Sequence, residues 1–241
     1  MLITRHIKNI ELNTHKVMIK HIVVTRLALK WKYHELGMDW NDWLNKSIYL
    51  MDNYCRPSLK NQTDQDFTLL TLVDKSVKYA GKSLKNEKII MTRPGDIREQ
   101  IINAVNSYVS TIDENWVIMT RIDRDDCLRK DYISNIKRYY NSGGSGFADL
   151  YYSLTYDVAK NTIHDSPKYH QPISPFVSVL ENNIDGKIPC WPFKVNHGQI
   201  GNFMKGVKLK SLSAMQVIHG HNVLNKVFGD KIKINRKDYG L

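Results

Sequence analysis

The sequence predicts an α/β fold, with a mostly parallel sheet flanked by helices and a second half rich in β-strands. Two observations support this prediction. Residues 20–140 alternate short β-branched runs with helical apolar patterns, which is typical of a doubly wound parallel sheet. Residues 147–200 instead hold short strand candidates joined by Pro, Gly and Asn turns. We expect one domain, 1–241, with halves at 1–145 and 146–241.

The first strand is predicted at 20–30, because its β-branched apolar run suits a strand buried on both faces. A helix is predicted at 41–56, where apolar residues recur at helical spacing. Asp39 or Asn41 can cap this helix, and Pro57 is expected to end it.

Three more strands and two more helices complete the predicted first half. The strands are expected at 67–73, 88–92 and 116–122, each a short apolar run. Asp96, with a glutamate three positions later, begins a capping-box pattern and an amphipathic helix. Asp131 can cap a further helix, which a Gly-rich loop then ends.

The second half has shorter elements. Strands are predicted at 149–155, 162–164 and 190–195, and a helical stretch is predicted in the tail from 211 onwards. The tail also collects basic side chains. They are Lys205, Lys208, Lys210, Lys226, Lys231, Lys233, Arg236 and Lys237.

The charge balance favours anionic partners. Lys and Arg number 35 against 24 Asp and Glu, so the net charge is +11. Nucleic acid, nucleotide phosphates or an anionic membrane face would suit this charge, and a merely solvated basic surface remains an open alternative. The three cysteines are far apart, which argues for a reducing compartment. With no apolar run long enough to span a membrane, we expect a cytoplasmic protein.

Three carboxylates directly follow the predicted strand at 116–122. Asp123, Asp125 and Asp126 would therefore lie at the carboxyl end of a strand, where open α/β sheets bind ligands. Clustered carboxylates repel one another unless a cation lies between them, and Mg²⁺ or Mn²⁺ shared with phosphate oxygens would serve. The alternative is a solvated turn followed by a helix cap.

Several segments, taken in order, resemble the putative rhamnosyltransferase family of bacterial GT-A-like glycosyltransferases. The most specific is Thr120-Arg121-Ile122-Asp123-Arg124-Asp125-Asp126. The others are Val24-Thr25-Arg26, Trp43-Leu44, Pro57-Ser58-Leu59-Lys60-Asn61-Gln62-Thr63, Ser174-Pro175-Phe176 and Ile218-His219-Gly220-His221-Asn222. The resemblance covers roughly residues 20–225 and implies a GT-A-like fold that binds a nucleoside diphosphate sugar.

The resemblance also implies roles for individual residues. Asp123 and Asp125 would form a D-x-D pair that reaches the ribose and the metal ion, and Asp126 would hold the metal or position the sugar. Arg121 would line the donor site or pair with these carboxylates. Three strand-end residues would contact the base or ribose: Thr25, Arg26 and Asp74.

Histidines near the C-terminus are candidates for a further metal ligand. His219 and His221 would face the same way in an extended segment, and GT-A enzymes often complete their metal shell with such a histidine. His197 is a second candidate. In each case the neighbouring glycine also allows an ordinary solvated turn.

An inverting transferase needs a carboxylate base that removes the proton from the acceptor hydroxyl. Glu181, which follows an apolar segment, is the first candidate, and Asp149 and Asp157 are rivals. A charged residue at the end of an apolar segment is also an ordinary solvated boundary.

These observations predict a metal-dependent transfer of a sugar to a hydroxyl acceptor, with a UDP-linked sugar as the expected donor. Hydroxymethylated DNA of the phage type and a surface glycan, built at an anionic membrane face, are the two acceptor classes that suit the charge. Two other functional classes remain open at this stage. One is a non-enzymatic basic protein that binds nucleic acid, and the other is a nuclease or phosphotransferase using the same aspartates.

Overall fold

The structure is a computed structural model that describes residues 18–29, 39–79, 83–93, 96–166, 173–220, 227 and 229–241. Its central feature is a mixed sheet of ten strands within those ranges. The strands are β1 (Ile19–Ala28), β2 (Thr68–Asp74), β3 (Glu87–Thr92), β4 (Trp116–Arg121), β5 (Cys127–Leu128), β6 (Phe147–Asp157), β7 (Thr162–Ser166), β8 (Ser178–Asn182), β9 (Gly206–Ile218) and β10 (Lys231–Ile232).

The strand order explains where a ligand site can form. The main path runs β10-β7-β6-β8-β4-β1-β2-β3, and β9 pairs with both β6 and β5. Strands β4, β1, β2 and β3 are mutually parallel, whereas β8 runs antiparallel to β4. The carboxyl ends of four neighbouring strands therefore lie at one edge of the sheet.

Helices cover both faces of the parallel strands, as a doubly wound sheet requires. One face packs against α1 (Trp40–Leu50), α2 (Arg56–Lys60) and α4 (Tyr132–Asn141). The opposite face packs against α3 (Ile97–Val109) and the short α5 (Trp191–Lys194). The α/β class and the β-rich second half are confirmed. No described helix is long and apolar enough to cross a membrane.

The first half follows the predicted order of elements, with one correction at Pro57. Asp39 caps α1 by accepting a hydrogen bond from the Asn41 amide. The chain then passes through a wide π-helical turn, Met51–Cys55, and continues as α2 to Lys60. Pro57 does not end the helix, because it lies in the first turn of α2, where proline is tolerated.

Two predictions in the second half are wrong. The predicted strand at 190–195 is the short helix α5, which begins after Cys190 in the left-handed conformation (φ 57°). The helical stretch predicted in the tail from 211 onwards is wrong over residues 211–218, which belong to β9, a strand of 13 residues. Residues 221–226 and 228 of that tail lie outside the described residues. Alternation of apolar and polar residues along β9, as at Val207, Lys208 and Leu209, has the period of two that a strand requires.

Residues Pro57–Thr63, one of the segments of the resemblance, tie α2 to α4. The Gln62 amide nitrogen donates to the backbone carbonyls of Ser58 and Arg129, at 3.0 and 2.9 Å. Its amide oxygen accepts from the backbone N–H of Ile133, at 3.1 Å, in the first turn of α4. This segment therefore fixes the chain that leaves the acidic cluster.

Candidate active site

The candidate site lies at the carboxyl ends of β1, β2 and β4. Because these strands are parallel neighbours, Arg26 near the end of β1, Asp74 at the end of β2 and Arg121 at the end of β4 lie at one edge of the sheet. The loop that follows β4 carries the three aspartates. The structure thus places the predicted cluster where open α/β sheets bind their ligands.

Asp123 is the point at which two arginines meet. Arg26 Nη2 lies 2.5 Å from Asp123 Oδ1, and Arg121 Nη2 lies 3.3 Å from Oδ2. Burial alone would raise the pKa of Asp123, but the charges of Arg26 and Arg121 outweigh it and hold that pKa well below its usual range. Asp123 is therefore ionised and shared by two guanidinium groups.

Arg121 and Arg124 are held in place by aromatic rings. Arg121 Cζ lies 5.6 Å from the ring centre of Phe193 in α5, and Arg124 Cζ lies 4.8 Å from the ring centre of Trp43 in α1. Burial lowers the pKa of both groups, and the neighbouring aspartates oppose that effect. Guanidinium groups stay protonated in proteins even so.

Asp125 is in contact with His219. The two are separated by 94 positions in the chain, and His219 Nε2 lies 3.0 Å from Asp125 Oδ2. β9 ends at Ile218, so the residue that follows it reaches the loop after β4. The prediction that a C-terminal histidine accompanies the aspartates is consistent with this contact. His221 lies outside the described residues.

Asp126 is buried beneath the other two aspartates, with 2% of its surface exposed. Its Oδ1 accepts a hydrogen bond from the Val217 amide at 3.2 Å, two residues before His219. Burial raises the pKa of Asp126 well above its usual range, and the charges of Asp125 and Asp123 add to that effect. In this position Asp126 holds the end of β9 and thereby positions His219. The geometry favours this positioning role over direct contact with a substrate.

Two further residues of the predicted donor site lie in β1 and β2. Thr25 is fully buried, and its hydroxyl oxygen has no hydrogen-bond partner among the described residues. Asp74 is also buried, and one of its carboxylate oxygens accepts from both the backbone N–H and the hydroxyl of Ser76, at 2.8 and 2.6 Å. Asp74 therefore closes a turn with one of its oxygens.

Asp125 and His219 together fit one side of a divalent metal site. Protein-bound Mg²⁺ usually takes one or two carboxylates and completes its shell with water and substrate phosphates. A cluster of three His, Cys, Asp or Glu side chains able to hold a metal is absent from the described part of the chain. Asp125 and His219 could therefore supply two ligands to a metal ion, and the remaining ligands would have to come from water or a bound molecule. His197, the other candidate, lies in the 3-10 turn His197–Asn202 that follows α5.

The structure does not favour Glu181 as the catalytic base. In β8, Glu181 pairs with Val117 near the start of β4, whereas the aspartates follow the end of β4. Its two carboxylate oxygens accept from the backbone N–H groups of Cys190 and Trp191, at 3.2 and 2.6 Å, where α5 begins. Glu181 is 3% exposed and serves as the cap of α5.

The two rival carboxylates also have structural partners. Asp149 is fully buried, accepts from the Ser174 amide and lies 3.0 Å from Lys208 Nζ. This contact explains the Ser174-Pro175-Phe176 segment of the resemblance, which anchors a loop to β6. Asp157 accepts from the Lys160 amide at 3.2 Å in a turn after β6.

The position of Arg124 beside the acidic loop and the pairing of Arg26 with Asp123 were not predicted from the sequence. Three arginines, Arg26, Arg121 and Arg124, surround the acidic loop. A signal was present, because two of these arginines alternate with the aspartates along the chain. The partner of Arg26 comes from a segment 97 positions away, and no local pattern encodes that contact.

A sequence profile of one protein family, described as "Putative rhamnosyl transferase", matches residues 38–231. The chain belongs to this family. Membership places it among the glycosyltransferases and sets aside a purely nucleic-acid-binding role. The matched region of the chain includes the acidic loop, α5 and His219. Arg26, in contrast, precedes it. No curated protein matches the chain in sequence.

Comparison with solved structures gives distant matches. TarS 1-349 of S. aureus is 11% identical with a TM-score of 0.32, and the match covers 58% of this chain and 36% of that one. The 4-diphosphocytidyl-2C-methyl-D-erythritol synthase of Anaerococcus prevotii is 10% identical with a TM-score of 0.36, over 91% of this chain and 92% of that one. Mouse xyloside xylosyltransferase 1 is 9% identical with a TM-score of 0.31, over 55% and 53%. The chain thus spans about a third of the TarS 1-349 structure.

Proposed function

We propose that this rhamnosyl transferase family member moves a sugar from a nucleoside diphosphate sugar to a hydroxyl acceptor, with a divalent metal ion. One observation carries the proposal. Guanidinium groups, carboxylates and an imidazole from β1, the loop after β4 and the end of β9 meet at the carboxyl edge of a parallel sheet. Such an edge is where α/β sheets bind nucleotides.

In this proposal Asp125 and His219 would hold Mn²⁺ or Mg²⁺ together with the diphosphate of the donor. The metal, when bound, would neutralise negative charge on the departing diphosphate. Thr25 and Asp74, buried in β1 and β2, would line the side of the site where the nucleoside lies. Asp126 would keep His219 in reach through its bond to the Val217 amide.

The donor nucleotide we propose is UDP. S. aureus TarS has been solved with UDP and with UDP-GlcNAc, and UDP is therefore the first nucleotide to test. The family description names a rhamnosyl group, so nucleotide-linked rhamnose belongs in the same panel. Thermal unfolding should be followed with each nucleotide, with Mn²⁺ and with both together, because a ligand that binds the native state stabilises it. Absence of any stabilisation, and of turnover with every donor, would refute the proposal.

The metal site has a direct test with a matched control. Asp125→Asn should abolish the additional stabilisation that Mn²⁺ gives in the presence of UDP, and should abolish metal-dependent turnover. Asp131→Asn is the control, because Asp131 also lies in the segment after β4 but pairs with Arg129, 2.6 Å away. Full activity of Asp125→Asn, or of the parent in excess chelator, would exclude the metal. His219→Ala should raise the metal concentration needed by roughly 10–100-fold.

The acceptor in this proposal is a hydroxyl group on a glycan or on hydroxymethylated DNA. The basic residues that motivate DNA include Arg236, but its guanidinium lies 5.1 Å from the ring centre of Tyr156 and donates to the Asn161 carbonyl. Contact with an anionic membrane face would suit the same basic surface.

An assay should offer hydroxymethylcytosine DNA, unmodified DNA and a lipid-linked glycan with the donor panel, followed by mass analysis. A glycosylated nucleoside that forms with modified DNA alone would establish DNA as the acceptor. Transfer to the glycan alone would exclude it.

A further inference from the structure

Two guanidinium groups share a single carboxylate at the centre of the site. Arg26 occupies one oxygen of Asp123 and Arg121 approaches the other. Their side chains are 21% and 13% exposed, so water reaches neither group fully. Asp123 is therefore an acceptor that both guanidinium groups use in this structure.

Two buried donors near Asp123 have no acceptor in the part of the chain that the structure describes. The Nε–H groups of Arg121 and of Arg124 are buried, and neither has a hydrogen-bond partner among the described residues. Buried polar groups without partners are rare in folded proteins, and each one calls for an explanation such as an absent ligand. A ligand with several oxygen acceptors and more than one negative charge would satisfy these donors.

We propose that the diphosphate of the donor binds directly to Arg26 and Arg121, and that Asp123 takes its place while the site is empty. The planar guanidinium fork binds phosphate oxygens in pairs, as it binds a carboxylate. On binding, the diphosphate replaces Asp123 as the acceptor of both arginines. Asp123 is then released toward the ribose. This inference rests on the proposed function for the identity of the diphosphate, although inorganic pyrophosphate can test it alone.

Replacing Asp123 with a neutral residue distinguishes this proposal from the alternative, in which Asp123 helps to bind the donor's diphosphate. The two predict opposite changes in the affinity for pyrophosphate. If Asp123 competes with phosphate for the arginines, its neutralisation should strengthen pyrophosphate binding. If Asp123 instead binds phosphate through a metal ion, its neutralisation should weaken pyrophosphate binding when metal is present. Without metal, the affinity should stay unchanged. Pyrophosphate carries no ribose, so the measurement isolates the arginine contacts.

The experiment measures pyrophosphate binding by calorimetry in excess EDTA, for the parent and for variants. Asp123→Asn should lower Kd by about tenfold, the factor expected when a charged hydrogen-bond competitor is removed. Arg26→Gln should raise Kd by about tenfold for the same reason. Arg129→Gln is the matched control, since Arg129 also pairs with an aspartate, Asp131, but lies in the segment between β5 and α4. Its Kd should equal that of the parent.

Arg121→Gln should weaken pyrophosphate binding like Arg26→Gln. Because Arg121 is buried against Phe193, Arg121→Lys serves as a second variant that keeps the charge and loses the fork. Urea unfolding of every variant shows whether it is folded.

An unchanged or higher Kd in Asp123→Asn, or a parental Kd in both Arg26→Gln and Arg121→Lys, would overturn the inference. If the inference is overturned in this way but the parent still transfers a sugar, the proposed function stands. If the Kd values change as expected but the parent transfers no sugar, only the proposed function is refuted.

Discussion

Glu181 is a buried ionisable residue, and its burial makes the free energy of unfolding depend on pH. Burial raises the pKa of Glu181 to about 7, although the Trp191 and Cys190 amides partly oppose this effect. The folded state therefore binds the proton more tightly than the unfolded chain does. The stabilisation that protonated Glu181 contributes is fully present below the usual pKa of glutamate and is lost as the pH rises through about 7.

We therefore expect Glu181→Gln, which cannot ionise, to lack this pH dependence. The free energy of unfolding of the parent should fall relative to that of Glu181→Gln between pH 5 and pH 8. The difference should be up to about 3 kcal/mol, at about 1.4 kcal/mol per tenfold change in proton affinity. Urea unfolding at four pH values measures it. Two curves that stay parallel across this range would show that Glu181 is ionised like an exposed glutamate.

Some residues of the candidate site could be predicted from the sequence, and others could not. The position of Asp123 and Asp125 at a strand end was predictable from the sequence pattern, whereas only the family resemblance pointed to His219. The Arg26–Asp123 pair was not predictable, because it joins two strand ends that come together through the β1–β4 register. The hydrogen bonds of Glu181 were not predictable, because its amide partners lie at the start of a helix that the local pattern did not predict.

The link between α2 and α4 can be tested at Gln62. Gln62→Ala would leave the Ile133 amide and the Arg129 carbonyl without their side-chain partner. We expect a loss of about 1–3 kcal/mol in the free energy of unfolding for each buried group left unsatisfied. Chemical denaturation of the parent and the variant measures this loss.

Gln65→Ala is the matched control for Gln62→Ala. The Gln65 amide also donates to carbonyls near the end of α2, those of Leu59, Lys60 and Gln62, but its side chain is exposed. Water can replace these bonds, so we expect a loss below about 1 kcal/mol. Equal losses in the two variants would mean that the Gln62 contacts do not tie α4 to α2.

The C-terminal 3-10 turn, Arg236–Tyr239, docks against α2 through a glycine. Gly240 has φ 76°, and a Cβ placed there would lie 2.6 Å from the Pro57 carbonyl atoms. Gly240→Ala should destabilise the protein by more than the roughly 1–2 kcal/mol of a left-handed alanine. Gly143→Ala is the control, since Gly143 has φ 90° with nothing within 4 Å of the added Cβ. Thermal unfolding should show a larger fall in Tm for Gly240→Ala than for Gly143→Ala. Equal falls would contradict the close contact between Gly240 and Pro57.

At the level of elements, strongly periodic segments were predictable and irregular ones were not. The parallel strands and α3 follow from apolar periodicity, and Asp96 caps α3 as expected. α5 was read as a strand because four residues with Pro192 in the first turn carry no helical period. The pairing of β8 with β4 depends on contacts distant in sequence, and local propensity does not encode them.

If DNA is the acceptor, the net charge of +11 should make its binding depend on salt. Lys231, Lys233 and Lys237 are exposed on the folded C-terminal segment. If they contact a duplex, replacing all three with Gln should flatten the plot of log affinity against log salt by about 0.9 for each lost phosphate contact. We expect a reduction of roughly 2 to 3 in the slope, measured by fluorescence anisotropy.

A second triple variant controls for overall charge. Lys78, Lys85 and Lys88 are exposed near β3, at the opposite end of the sheet from β10. Their replacement by Gln lowers the net charge equally and should leave the slope close to that of the parent. If both triple variants change the slope alike, DNA binding follows net charge and not the C-terminal segment.

The pairing of β1 with β4 has a consequence for how the protein folds. It joins Ile19 to Trp116, so the chain must close a loop of about a hundred residues before these strands meet. Proteins dominated by such distant contacts fold slowly, in milliseconds to seconds. Arg26 and Asp123 come together through this pairing. The contact between Arg26 and Asp123 should therefore form after most helical structure has formed. During that interval the sheet edges are exposed and able to aggregate.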